Sequence, residues 1–145
     1  MVTVDDIAAA VKGRCAGSAA FVAAVPGGAY FERPDEDAAA PYAVFGLDRA
    51  DDPEFDSGGG YTQGFTLRMA VYSVVGTSDP QAAQLGMADA LNTSPTDWAA
   101  LRAGRVLHGL PRGYDGRFDP KLRNSADVFV SAAQWALLVE GNLEA

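Results

Sequence analysis

Cysteine and histidine are almost missing from this 145-residue chain: Cys15 and His108 stand alone. A lone cysteine excludes an intrachain disulfide framework and suits a reducing site of synthesis. Cys15 and His108 together also fall short of the ligand set of a structural zinc site. Long apolar runs are missing as well. No stretch approaches the roughly 20 residues that span a bilayer. The opening MVTVDDI is acidic and amphipathic, so no secretion signal is expected there. Basic residues are scarce, 11 Lys and Arg against 19 Asp and Glu, for a formal net charge of -8. A general affinity for nucleic acid or anionic lipid needs a basic surface and is disfavoured. A basic protein partner or a soluble assembly subunit is compatible with the charge. A phosphate loop is missing too: Gly58-Gly59-Gly60 lacks the GxxxxGK spacing and leads into a strand rather than a helix.

What is present is a foldable chain. Hydrophobic residues make up 48% and charged residues 21%, a balance that favours a packed core over disorder. The length suits one domain covering residues 1–145. Thr3 can cap a first helix with Asp5 and Asp6 in its first turn, and Ile7, Ala8, Val11 and Cys15 recur at helical spacing. Ser18 to Ala24 adds a turn or two before Pro26-Gly27-Gly28 stops it. Short strands are expected at Ala29 to Arg33 and at Tyr42 to Leu47, joined by the solvated connector PDEDAAA. After the acidic, glycine-rich segment at 48–60 comes the clearest signal. Phe65, Leu67, Met69, Val71 and Ser73 alternate with a mixed set in which Arg68 is the only charge, predicting a long strand with one core face and one half-covered face. Gly76 breaks it. Ser78 then caps a helix with Asp79 and Pro80 in its first turn, and Ala83, Met87, Ala90 and Leu91 line one side. Thr96-Asp97-Trp98 begins a short helical turn, Arg105 to Leu110 reads as a short strand, Pro111 to Ser125 as turns, and Asp127 to Val139 as a last strand. The expected fold is α+β, a mainly antiparallel sheet with two helices packed on one side, in the order α-β-β-β-α-β-β.

No catalytic constellation emerges from the spacing. His108 is read as a partly buried or edge residue and Cys15 as a small core residue, because no flanking motif marks a nucleophile pair. Asp48, Asp51, Asp52, Glu54 and Asp56 carry enough oxygen ligands to raise the question of calcium. Counted from Asp52 as an EF-hand, however, the glycine position holds Ser57 and the last acidic position holds Gln63. The loop is therefore read as a solvated or partner-docking segment, with the glycines as a flexible hinge. Asp115 and Asp119 flank Arg117 in what reads as a turn with local ion pairing, and Trp98 and Trp135 as core or subunit contacts. No metal or cofactor is expected.

Four features taken together resemble the tail terminator, or tail completion, proteins of long-tailed phages and related particles. They are the opening helix Val4 to Cys15, the proline-led strand PYAVFGL at 41–47, the long loop leading into FTLRMAVYS at 65–73, and the helix QAAQLGMADAL at 81–91 followed by apolar terminal strands at 127–139. The resemblance implies an architectural role rather than catalysis. Such proteins form a ring, usually a hexamer, on the head-proximal end of the finished tail tube. The ring stops tube polymerisation and presents a surface for head joining. The implied partners are further copies of the chain, the tail tube protein and a head-side connector protein, with DNA passing through without specific binding and no membrane involved. The implied place is the virion tail, after synthesis in the host cytoplasm. By the same resemblance, Asp48, Asp51, Asp52, Glu54, Phe55, Asp56 and Tyr61 form the partner-binding surface. A head–tail connector or neck component is the alternative within phage assembly. A small ligand-binding or enzymatic α+β domain is the alternative outside it.

Overall fold

The structure, a computed structural model, describes residues 3–49, 52–74, 79–91, 104–118 and 128–142. It is α+β, as expected. The elements run α1 (Val4–Gly17), α2 (Ala19–Ala24), β1 (Ala29–Phe31), β2 (Tyr42–Arg49), β3 (Glu54–Phe55), β4 (Gly60–Val74), α3 (Pro80–Leu91), β5 (Gly104–Phe118) and β6 (Val128–Asn142).

The six strands form one sheet in the order β1-β2-β4-β6-β5, with β3 also paired to β4. Only β1 and β2 pair in parallel; β2, β3 and β6 all pair antiparallel with β4, as β5 does with β6. β4 is 15 residues long, about 50 Å at the rise of a strand. It pairs with β6 from Gly60↔Asn142 to Val74↔Val128.

Alternation decides the faces. Tyr61, Phe65, Leu67, Met69 and Val71 on β4 are buried, as are Trp135, Leu137 and Val139 on β6 and Ala43 and Phe45 on β2. They join Ile7, Ala8, Val11 and Cys15 of α1, Phe21 of α2 and Ala83, Met87, Ala90 and Leu91 of α3 in one core. The other face carries half-buried Thr66, Ala70 and Tyr72 with exposed Arg68. Tyr72 stacks on Tyr42 at 5.4 Å between centroids, and Tyr42 meets Tyr30 edge-on at 6.3 Å. Ser73 and Ser131 are buried on the core face, and their hydroxyls find no partner among the described residues.

Helix ends follow their sequence signals. Thr3 and Asp6 make a reciprocal capping box: Thr3 Oγ1 accepts from the Asp6 N–H at 3.2 Å, and Asp6 Oδ2 accepts from the Thr3 N–H at 2.9 Å. Ser18 divides what the sequence presents as one helical stretch. Its extended backbone ends α1, and its Oγ accepts from the Phe21 N–H at 3.2 Å to start α2. The same hydroxyl donates to Asp89 Oδ2 on α3 at 2.5 Å, and Arg14 Nε donates to the Ala90 carbonyl at 3.1 Å. Gly86 lets α3 approach α2 closely: a Cβ there would lie 3.0 Å from the Phe21 Cα. Among the described residues three helices thus stand where two were expected. Ser78, the expected cap of α3, lies outside the described residues. Asp79 makes a capping contact, its Oδ1 accepting from the Gln81 N–H at 3.0 Å.

Two other expectations change. The turn-rich reading of residues from Pro111 onward gives way to a strand, for β5 continues unbroken through Pro111 to Phe118. Asp115 and Arg117 therefore sit in strand register opposite Ala132 and Val130 rather than in a turn, and Asp119 lies outside the described residues. Pro111 and the glycines are accommodated because β5 is the last strand of the sheet and shifts register between Val106 and His108 and between Pro111 and Gly113. The short helix expected near Trp98 falls outside the described residues.

Candidate functional site

The acidic segment at 48–60 is less of a loop than its composition predicts. β2 and β3 lie on the same side of β4 and run in the same direction, with Arg49 opposite Phe65 and Glu54 opposite Thr62. From residue 49 to 54 the chain advances five positions while β4 retreats three, from 65 to 62. β2 and β3 therefore read as one strand along β4 interrupted by a two-residue excess, with β1 beside it only at Ala43 to Phe45. Beyond Phe55 the chain turns back into β4 as a hairpin.

Asp56 builds that turn. Its N–H donates to the Gly60 carbonyl at 2.9 Å, and its Oδ1 accepts from the Gly58 N–H at 2.8 Å and the Gly60 N–H at 2.9 Å. Gly59 adopts a φ of +84°, a conformation that costs other L residues roughly 1 kcal/mol or more. The expected flexible glycine hinge is thus corrected to an Asp-braced turn. A short aspartate side chain satisfying backbone donors two and four residues on leaves few free groups in the turn. The Asp-Ser-Gly-Gly-Gly order carries the local signal for such a turn in the aspartate as well as in the glycines.

The seven residues assigned to this surface divide into distinct environments. Glu54, Phe55 and Asp56 share the hairpin, and all three are exposed, Phe55 by 57%. Asp52 is exposed just before them, and Asp51 lies outside the described residues. Asp48 belongs to β2 and faces Arg68, Oδ2 to Nη2 at 3.2 Å, with both side chains largely in solvent. An ion pair so exposed contributes little to stability. Tyr61 differs from expectation: it is 2% exposed and part of the core. Burial keeps it from meeting a partner directly, and it instead supports Phe55, with ring centroids 6.3 Å apart. The hairpin therefore presents one exposed aromatic ring on an acidic stretch of chain, with Asp52, Glu54 and Asp56 also exposed.

Cys15 is buried, and burial pushes its thiol up to about 12 against a modest lowering by Arg14, which removes it from nucleophilic chemistry at neutral pH. His108 is placed on β5 opposite Leu138. Among the described residues no cluster of His, Cys, Asp and Glu is arranged to hold a metal ion. No described helix is long and apolar enough to cross a membrane.

Comparison with known proteins places this architecture. No family model matches the chain, and no curated protein matches it. Among solved structures it is similar to a chain described as "Virion of native gene transfer agent (GTA) particle", with a TM-score of 0.68 and 26% sequence identity. The likeness covers 92% of this chain and 93% of that one. The shared part is therefore the whole fold, sheet and helices together, rather than a local motif.

Proposed function

We propose that this chain is a structural protein of a phage-like particle and that its role is architectural. The observation that carries this reading is the end-to-end likeness, in fold and in sequence, to a chain of a gene transfer agent virion. More finely, we assign it to the head-proximal end of the tail tube. There it forms a ring, six copies in the usual arrangement of the resembled family, that stops tube polymerisation and offers a surface for head joining. The features that support this are the expected α+β order and the exposed, braced hairpin. Head-to-tail contacts between identical subunits generate such rings when the rotation closes. The acidic residues around Phe55 suit a complementary basic patch on the tube protein or on a neighbouring copy. A net charge of -8 also suits a ring through which DNA passes without being held.

The test adds purified protein to polymerising tail tubes. Tubes of limited length carrying a distinct cap at one end are expected in electron micrographs. Unchanged length and bare ends would overturn the terminator assignment. Binding to head-side connectors without binding to tube ends would move the chain to the neck.

A further inference from the structure

A second surface lies at the other end of the sheet. Lys12, Cys15 and Ala16 of α1, Phe21 and Val22 of α2, and the following Val25, Pro26 and Ala29 line a groove of about 320 Å³. Its lining is almost wholly apolar. Val22 is 48% exposed there, and Lys12, also exposed, is its one charged residue. The groove therefore offers an open apolar floor with a single positive charge, at a volume sufficient for an aromatic ring. Phe55 is the converse: an exposed ring flanked in sequence by Glu54 and Asp56, next to a turn braced by Asp56.

Register shows that the two cannot meet within one molecule. Ala29 at the groove stands at the level of Ala43 and hence of Val71 on β4, whereas Phe55 stands opposite Tyr61. Val71 and Tyr61 are ten residues apart on one continuous strand, about 33 Å. We propose that the Phe55 hairpin of one copy seats in the α1–α2–β1 groove of the next. The ring fills the apolar floor, and Glu54 or Asp56 approaches Lys12. The two surfaces are different patches of one chain, so the contact is head-to-tail and leaves an unused hairpin and an unused groove to propagate. This deepens the ring reading and rests on it by naming the interface.

The experiment mixes two separately tagged variants, Ala16→Cys at the groove and Ser57→Cys in the hairpin turn, each in a Cys15→Ala background that keeps Phe55 and Val22, under mild oxidation. The expected product is the mixed disulfide dimer, in several-fold excess over either homodimer. A mixed yield no greater than the homodimers overturns the proposal. Independently, Phe55→Ala should weaken self-association at least tenfold in sedimentation. Lys12→Glu should weaken it too, with recovery when mixed with a Glu54→Lys chain. If Phe55→Ala assembles on tube ends and in solution as the unaltered chain does, the interface is elsewhere and only the ring reading survives. If the cysteine variants do not cross-link and the unaltered chain does not cap tubes, both fall. An apolar small molecule that co-purifies with the chain and is lost on Val22→Glu would also overturn the proposal, by naming a different occupant.

Discussion

Asp56 shows how much one side chain can organise. Replacing it with alanine removes an acceptor from two backbone donors, so Asp56→Ala should lower stability by about 1 kcal/mol and raise protease sensitivity at the turn. Urea titration and limited proteolysis read the two effects separately. Cys15 makes a prediction of another kind. Its ordinary pKa is 9.0, and burial raises it to about 12 in the folded chain. Between those values the unfolded chain gives up a proton that the folded chain keeps. Stability should therefore fall as pH rises from 9 toward 12, by at most about 1.4 kcal/mol per pH unit, and Cys15→Ala should flatten that slope in alkaline denaturation curves. Alkylating reagents should modify the thiol only as fast as the chain opens. Both residues were visible in the sequence to different degrees. Cys15 was legible because its neighbours Ile7, Ala8 and Val11 repeat at helical spacing and all are buried. The bracing role of Asp56 was not, because it depends on where Gly58 and Gly60 point their N–H groups. Tyr61 was misassigned because an aromatic beside glycines suggests exposure, while its position in the β4 alternation points inward.

At the scale of elements, the three helices are tied to one another by hydrogen bonds from Arg14 and Ser18 as well as by the core they share with the sheet. Ser18 is the junction, ending α1, starting α2 and donating to Asp89 on α3. Ser18→Ala should cost about 1–2 kcal/mol, the range of a lost helix cap, and the loss should appear as a shifted denaturation midpoint with an unchanged slope. Gly86→Val tests the neighbouring close approach. The added side chain meets the α2 backbone at Phe21 and Ala20, so a loss of roughly 1–3 kcal/mol is expected, with a weakened groove because α2 forms one wall of it. Elements with strong periodicity were legible: β4 by its strict alternation, α3 by Ala83, Met87, Ala90 and Leu91, β6 by Trp135 and Leu137. Elements set by long-range pairing were not. β5 contains Gly109, Pro111, Gly113 and Gly116, each a local signal for a turn, yet pairing along β6 overrides them all. β3, two residues long, has no periodicity to read and exists because β4 extends past the end of β2. Val22 and Lys12 were missed as groove residues because, in an alanine-rich helix, nothing local separates a residue facing a groove from one facing open water.

At the scale of the whole molecule, the sheet is built from partners far apart in sequence. Residue 60 pairs with residue 142, and β4, β5 and β6 are all long. Such topology closes large loops before its contacts form, so refolding from denaturant should take milliseconds to seconds rather than microseconds, which stopped-flow fluorescence from Trp135 and Trp98 can follow. The net charge sets a second expectation. Duplex DNA should migrate unshifted in the presence of excess protein at about 150 mM salt; a retarded band would show a basic surface that composition conceals.

The continuity of β4 has a mechanical consequence. A pull on the hairpin along the strand axis cannot open the β4–β6 ladder one rung at a time. It loads the rungs together, in shear, whereas a sideways pull on β5 would peel that strand away rung by rung. The molecule is therefore anisotropic, stiff along the line from hairpin to groove and compliant across the sheet. A particle that must withstand strain benefits most from such a part when its load runs along that stiff line.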